Sequence, residues 1–196
     1  MIATHKRDVL LQPLLKHLTT SPPPSLRHIL VIWQNVGTPL PSFLEASSLA
    51  TYNSTVVKIS VRESQENSMN ERFRPALDWG NEIRTNAVMI LDDDVVLRRE
   101  TLEWGYQQFL DVNPIASNPE NGRIVGFTGR DYKPSAEGGW SYVVQPRESY
   151  SMILSNAAWF RKEWLELYWS NSPEMRAMRS YVDKGVSNPL SSHLLS

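Results

Sequence analysis

Residues 87–97 read AVMILDDDVVL, an apolar run followed at once by three carboxylates and a second apolar run. Five consecutive apolar residues of this kind predict a buried β-strand. Three adjacent aspartates repel one another unless a cation or hydrogen-bond donors compensate their charge. In open α/β sheets, ligands bind at the carboxyl ends of strands. The stretch therefore predicts a strand whose end carries a charged functional site.

Similar runs occur along the rest of the chain. Strands are predicted at residues 29–33, 56–61 and 123–128, with residues 140–144 as a candidate for one more. Helices are predicted where apolar residues recur at helical spacing. They are Leu10, Leu11, Leu14, Leu15 and Leu18 after a capping Asp8, then Leu102, Tyr106, Phe109 and Leu110, and an aromatic-rich helix at residues 157–169. Alternating strands and helices predict an α/β fold with a mixed, mostly parallel sheet flanked by helices.

Composition excludes several classes of protein. The 196 residues, 41% of them hydrophobic, are enough for one domain with a substantial core. Twenty Lys and Arg against 21 Asp and Glu leave a net charge of -1, so no overall field attracts nucleic acid. The absence of cysteine excludes disulfides and thiolate zinc sites. No signal, anchor or transmembrane segment is visible in this chain, and we expect no nucleic-acid partner.

Asp92, Asp93 and Asp94 predict a site for a divalent metal. Carboxylate oxygens suit Mg²⁺ or Mn²⁺, which keep coordination positions open for phosphate oxygens, so the implied chemistry is the handling of a diphosphate. The alternative is a solvated turn in which an aspartate caps the helix that begins near Arg99.

Two arginine-containing segments are candidates for binding phosphate. Arg72, with Asn67 and Asn70 beside it, precedes the strand that ends at the three aspartates. Its forked guanidinium suits phosphate oxygens. The alternative is a surface ion-pair face. Arg7 has the same chemistry, with a solvated terminal arginine as its alternative. The segment that begins at Tyr150 has the composition of a substrate-pocket wall, or of a buried helix start.

Six short segments, in the same order along the chain, resemble glycosyltransferase family 64, the catalytic domain of exostosin and exostosin-like enzymes. The resemblance runs from residue 4 to about residue 183. The segments are THKR (4–7), IWQNVG (32–37), NSMNERF (67–73), TNAVMILDDD (85–94), IVGF (124–127) and YSMIL (150–154).

The resemblance implies a GT-A type fold that transfers a sugar, an N-acetylhexosamine or related hexose, from a UDP-sugar to a glycan or lipid-linked acceptor. It implies retention of anomeric configuration, dependence on Mn²⁺, and a place in the lumen of the Golgi or endoplasmic reticulum. Its implied donor-site residues are Arg7, Asn35, Asn67, Arg72, Asp92, Asp93 and Tyr150, with Asp94 as the metal ligand.

The sequence also departs from the family pattern. His5 and Lys6 replace Tyr and Asn, and Glu71 replaces an amide, which we expect to alter affinity for the anionic donor. The acidic segment that supplies the family's catalytic residue after Asp183 is absent here, so no catalytic residue is assigned.

These departures predict a partial domain at residues 1–184, incomplete at its C-terminal end, and a divergent Ser-rich tail at residues 185–196. Two other functions stay open. One is a catalytically inactive module that binds a UDP-sugar or a partner, and the other is an unrelated metal-dependent enzyme that acts on phosphates.

Overall fold

A computed structural model describes residues 1–52, 57–74, 83–114, 121–144 and 149–186. Nine strands, five α-helices and two 3₁₀ helices are found in these ranges. The strands are β1 (Ile2–Thr4), β2 (His28–Trp33), β3 (Lys58–Glu63), β4 (Ala87–Asp92), β5 (Val125–Gly126), β6 (Gly129–Pro134), β7 (Trp140–Val143), β8 (Met152–Ile153) and β9 (Ala157–Arg161). The α-helices are α1 (Asp8–Thr20), α2 (Ala46–Tyr52), α3 (Arg99–Val112), α4 (Lys162–Tyr168) and α5 (Pro173–Val186), and the 3₁₀ helices are Ser42–Leu44 and Met69–Phe73.

The main sheet has six strands in the order β3-β2-β1-β4-β9-β5. The first four strands in this order run parallel, and β9 pairs antiparallel with both β4 and β5. This confirms the predicted α/β class and its mixed, mostly parallel sheet.

The carboxyl ends of the parallel strands meet at one edge of this sheet. Thr4 pairs with Trp33, and Ala3 pairs with Asp92, so β1, β2 and β4 all end there. The antiparallel strand β9 begins at the same edge, because Ala157 pairs with Leu91. We call this the carboxyl edge of the sheet.

Apolar side chains pack on both faces of the sheet. Ile29, Val31 and Trp33 of β2 belong to a cluster with the buried leucines of α1, while Leu30 belongs to a second cluster with Leu165 of α4. A strand buried on both faces has no polar side, which is why β2 reads as an uninterrupted apolar run. The two-sided core holds the carboxyl edge in place.

The helix predicted at residues 157–169 is wrong in its first part. Residues Ala157–Arg161 form β9, and only Lys162–Tyr168 are helical. Trp159 contacts one apolar cluster and Phe160 the other, so every residue of β9 is buried. An apolar run buried on both faces has no period that separates a strand from a helix, and the sheet contacts decide.

The N-terminal segment also differs from its prediction. Residues Ile2–Thr4 form β1 near the centre of the sheet, a strand that the sequence did not predict. Leu10 is 44% exposed and lies off the buried stripe of α1. Asp8 is the first residue of α1 rather than its cap, since Arg7 occupies the N-cap position with no side-chain capping bond. An acidic residue in a first turn still interacts favourably with the helix dipole.

Residues 140–144 do not extend the main sheet. Trp140–Val143 form β7, which belongs to a separate antiparallel sheet with strand order β7-β6-β8. The strand predicted at 123–128 is shorter, at Val125–Gly126, and the one predicted at 56–61 is shifted to Lys58–Glu63. Residue 56 lies outside the described residues.

Helix α5, which runs to Val186, is the last described element. The boundary predicted at residue 184 stays a prediction, and residues 187–196 of the predicted tail lie outside the described residues. No helix in the described ranges combines the length and the apolar character that crossing a membrane requires.

Candidate donor site

Asp93 and Asp94 share one arginine at the carboxyl edge. The Nη1 of Arg7 lies 2.6 Å from Oδ2 of Asp94 and 3.3 Å from Oδ1 of Asp93. Asp93 is buried, and its Oδ2 accepts a hydrogen bond of 2.7 Å from the Thr4 hydroxyl. Asp94 keeps 45% of its side chain exposed. Asp93 is therefore held by the protein, whereas Asp94 faces solvent.

Asp92 has a different partner. Nη1 of Arg72 lies 2.7 Å from its Oδ1, and its backbone N–H donates to the carbonyl of Asn156, in the turn before β9. Two buried polar atoms beside this contact, Nε of Arg72 and Oδ1 of Asn156, have no hydrogen-bond partner among the described residues. Buried polar atoms without partners are uncommon in folded proteins and mark a place where a ligand is able to bind.

Charge at the site follows these contacts. Asp93 and then Asp94 raise the pKa of the Arg7 guanidinium, so it stays charged. Burial raises the pKa of Asp92, and Arg72 opposes this effect by favouring the carboxylate. Two arginines thus compensate the three aspartates predicted to repel one another.

We call Asp92, Asp93 and Asp94 the acidic triplet, and the interpretation that one of them caps a helix is wrong. Helix α3 begins at Arg99 as predicted, but Arg98 is its N-cap residue and no side chain caps it. Asp92 ends β4 and Asp93 and Asp94 form the turn that follows. The aspartates therefore belong to the carboxyl edge rather than to the helix start.

Asn35 contributes to the site by holding the loop between β1 and α1. Its Oδ1 accepts a hydrogen bond of 2.5 Å from the backbone N–H of Lys6, and the His5 ring contacts the Gln34 carbonyl at 3.1 Å. Lys6 has a φ of 57°, in the left-handed region. The buried Asn35 thus fixes a strained residue that immediately precedes Arg7.

We predict that Lys6→Asn stabilises the fold. A left-handed conformation costs most residues about 1–2 kcal/mol, and asparagine adopts it more readily than lysine. The exposed side chain makes the change sterically simple. We expect urea denaturation to show a gain of about 0.5–1 kcal/mol in the free energy of unfolding. Lys6→Gln, which removes the charge without the backbone preference, is the matched control, and an equal gain there would contradict the prediction.

The 3₁₀ helix Met69–Phe73 carries Arg72 to the site. Ser68 caps this helix by accepting a hydrogen bond from the backbone N–H of Asn70. The Gln34 amide donates to the Ser68 carbonyl at 2.6 Å, which ties the helix to the end of β2. Strand β2 and the 3₁₀ helix thus reach the carboxyl edge together.

Glu71 points away from the acidic triplet. It is 1% exposed, and its carboxylate pairs with Arg62 of β3 and with Arg74, whose Nη1 lies 3.0 Å from Oε1. The Ser64 hydroxyl also donates to Oε2 at 2.9 Å. Its charge is therefore neutralised inside the protein, and its contact with Arg62 links the 3₁₀ helix to β3.

In the described part of the chain, the other two predicted residues make no hydrogen bond or ion pair with the acidic triplet. Asn67 is exposed directly before Ser68. Tyr150 is 63% exposed and lies beside Gly129, where an added Cβ would come within 3.1 Å of its ring. Their roles at the donor site stay predictions.

The sequence alone assigned no specific role to several residues that contact or support the site. Thr4 ends a three-residue strand too short to show a period, and Asn156 was included only as part of a longer segment. Asp183 accepts hydrogen bonds from Ser68 and Asn70 across more than 100 positions of sequence. No local signal predicts a contact of this range. Thr4 lies at the carboxyl edge because β1 pairs with β2 and β4.

The described residues contain no group of three or more His, Asp or Glu side chains arranged to hold a metal ion. Asp94 is the exposed carboxylate of the triplet, and Arg7 occupies one of its oxygens. Mg²⁺-type cations are commonly held by one or two carboxylates together with substrate phosphates and water. The donor set therefore fits a metal that arrives with a diphosphate.

The fold and the site together define an α/β protein with carboxylates and guanidinium groups gathered at the carboxyl ends of its strands, where phosphorylated ligands bind in this class. Comparison of sequences narrows the class. Residues 1–188 match the glycosyl transferase family 64 domain. The chain therefore belongs to glycosyl transferase family 64, and its sheet is consistent with the GT-A type fold.

Similar proteins support this assignment. Glycosyltransferase family protein 64 C3 of Arabidopsis thaliana is 31% identical over 88% of this chain and 50% of its own length. Exostosin-like 2 of Mus musculus is 29% identical over 91% of this chain and 51% of its own length. Glycosylinositol phosphorylceramide mannosyl transferase 1 of Arabidopsis thaliana is 28% identical over 94% of this chain and 54% of its own length. The chain thus spans about half the length of these relatives.

Proposed function

We propose that this protein is a glycosyltransferase that binds a UDP-sugar at the carboxyl edge and transfers its sugar to a glycan or glycolipid acceptor. The observation that carries the proposal is the pairing of Arg7 and Arg72 with the acidic triplet. Family membership supports sugar transfer as the reaction class. Retention of configuration and an N-acetylhexosamine or related hexose as the sugar are parts of the same proposal.

Arg7 and Arg72 are the groups proposed to hold the diphosphate. Guanidinium groups bind phosphate oxygens through forked hydrogen bonds, and they stabilise the negative charge that develops on a departing UDP. Arg7 keeps 53% of its side chain exposed, and Nε of Arg72 has no hydrogen-bond partner among the described residues. Both therefore retain donors for a ligand while each neutralises an aspartate.

Asp94 is the proposed Mn²⁺ ligand. A bound divalent cation supplies charge neutralisation for the leaving diphosphate. Within the protein, Arg7 holds the Asp94 carboxylate at 2.6 Å, and the buried Asp93 keeps Arg7 in place. The Thr4 hydroxyl in turn fixes Asp93 by donating a hydrogen bond to its carboxylate. These contacts orient one exposed carboxylate toward the ligand.

The acceptor is proposed in broad terms. One Arabidopsis relative is named as a mannosyl transferase of glycosylinositol phosphorylceramide, which is a glycolipid. Glycan and glycolipid acceptors are therefore both within the proposal. The lumen of the Golgi or endoplasmic reticulum is the proposed location.

A second function, an inactive module that binds UDP-sugar, rests on a specific observation. Each of Asp92, Asp93 and Asp94 is already paired with Arg7 or Arg72, so none of these carboxylates is assigned as catalytic. The two proposals share the donor site and differ only in turnover.

Calorimetric titration with UDP, with and without Mn²⁺, tests the donor site. We expect Mn²⁺ to strengthen UDP binding by at least about tenfold, and Asp94→Ala to abolish that gain because it removes the exposed carboxylate. Asp111→Asn, an exposed aspartate on α3, is the matched control and should leave binding unchanged.

Turnover is then measured as release of UDP from UDP-sugars supplied with and without glycan acceptors. Release by the wild type but not by Asp94→Ala supports the transferase. Metal-dependent binding without release favours the inactive module. A folded wild type that does not bind UDP would contradict both.

A further inference from the structure

Helix α5 contacts the start of the 3₁₀ helix Met69–Phe73 through the carboxylate of Asp183. Oδ1 of Asp183 accepts a hydrogen bond of 2.6 Å from the Ser68 hydroxyl, and Oδ2 accepts one of 2.6 Å from Nδ2 of Asn70. Ser68 and Asn70 are 5% and 2% exposed. Asp183 therefore clamps the buried start of the 3₁₀ helix that carries Arg72.

The side chain of Asn70 is fully engaged in this clamp. Its Nδ2 donates to Asp183 and also to the Arg179 carbonyl at 3.0 Å, and its Oδ1 accepts a hydrogen bond from the Tyr168 hydroxyl. Burial raises the pKa of Tyr168, so its hydroxyl stays a donor. The guanidinium of Arg179 contacts the Tyr168 carbonyl and lies 5.0 Å from the centre of the Trp169 ring. Helices α4 and α5 thus form one support for Asn70.

A 3₁₀ helix of five residues does not hold its own position. Short 3₁₀ segments have poor hydrogen-bond geometry and depend on tertiary contacts. Arg72 is two residues beyond Asn70, and its Nη1 must reach Asp92 at 2.7 Å while Nη2 lies 3.8 Å from the Met69 sulfur. A small displacement of the helix start therefore moves the guanidinium away from the acidic triplet.

Other contacts keep the helix folded without Asp183. The Phe73 ring packs edge-on against Phe160 at 6.0 Å and Tyr168 at 5.4 Å, and Glu71 is anchored to Arg62. Loss of Asp183 should therefore change where Arg72 points more than whether the domain folds.

We propose that Asp183 is a positioning residue that fixes Arg72 for contact with the diphosphate of the donor, an inference that rests on the proposed function. Asp183 contacts the 3₁₀ helix that carries Arg72 through its hydrogen bonds with Ser68 and Asn70. Its effect passes through Ser68 and Asn70.

Two variants test the clamp in the presence of UDP and Mn²⁺. Asp183→Ala removes both acceptors, and we expect it to weaken UDP binding about tenfold. Asp183→Asn keeps the shape, accepts from Asn70 and donates to the Ser68 hydroxyl, so it should bind UDP within about threefold of the wild type. Glu174→Gln, an exposed carboxylate on the same helix, is the matched control.

A double-mutant cycle separates positioning from general destabilisation. If Asp183 acts through Arg72, Asp183→Ala changes UDP affinity less than about twofold once Arg72 is already methionine. An equal loss in both backgrounds, or no loss in the wild-type background, overturns the inference.

The Nε–H signal of Arg72 in ¹⁵N NMR gives a readout that needs no ligand. The signal is assigned by its disappearance in Arg72→Met. We expect it to shift in Asp183→Ala and to stay in place in Glu174→Gln. An unmoved signal in Asp183→Ala overturns the inference even if UDP does not bind. A shifted signal in a protein that fails to bind UDP contradicts the proposed function and leaves the positioning of Arg72 supported.

Discussion

Replacing Glu71 by alanine is expected to lower the free energy of unfolding by about 3–5 kcal/mol, the usual loss when one partner of a buried ion pair is removed. The side chain is 1% exposed, and Arg62, Arg74 and Ser64 all direct donors toward its carboxylate. Alanine leaves these donors without their shared acceptor. Urea denaturation followed by circular dichroism measures the change.

Two further variants sharpen this test. Glu71→Gln keeps the shape and one acceptor oxygen, so its loss should be intermediate between the wild type and alanine. Glu63→Ala removes an exposed carboxylate at the end of β3 and should alter stability by less than about 0.5 kcal/mol. If Glu71→Ala behaved like Glu63→Ala, Glu71 would not be the buried centre of this network.

Replacing Arg72 by methionine is expected to weaken UDP binding about 10–100-fold, since hydrogen bonds to charged groups contribute about 1.5–3 kcal/mol. Methionine keeps the apolar stem and removes the guanidinium that pairs with Asp92 at 2.7 Å. The aspartate also loses the cation that favours its charged form, so the pKa of Asp92 rises further. Calorimetry in Mn²⁺ buffer measures the affinity.

Arg72→Lys distinguishes charge from geometry. Lysine keeps the charge but lacks the planar fork, so its affinity should fall between those of the wild type and the methionine variant. Arg176→Met, an exposed arginine on α5, serves as the control for loss of one positive charge. Unchanged UDP affinity in Arg72→Met would remove Arg72 from the proposed donor site.

The sequence alone determined the local parts of this protein. The apolar run before the acidic triplet is β4, and the run at residues 29–33 is most of β2, because strands buried on both faces have continuous apolar sequences. The order of short segments indicated family 64, which the match over residues 1–188 confirms. Such features are readable because each depends on residues close together in the chain.

The tertiary structure decided which distant residues meet. Arg7 reaches Asp93 across 86 positions, and Asn70 reaches Asp183 across 113. The sheet also made a strand of residues 157–161, which the sequence had predicted as helix, because the segment pairs between β4 and β5 and both of its faces are buried in apolar clusters. Local periodicity carries no information about partners this far apart, so strand order and burial alone determine them.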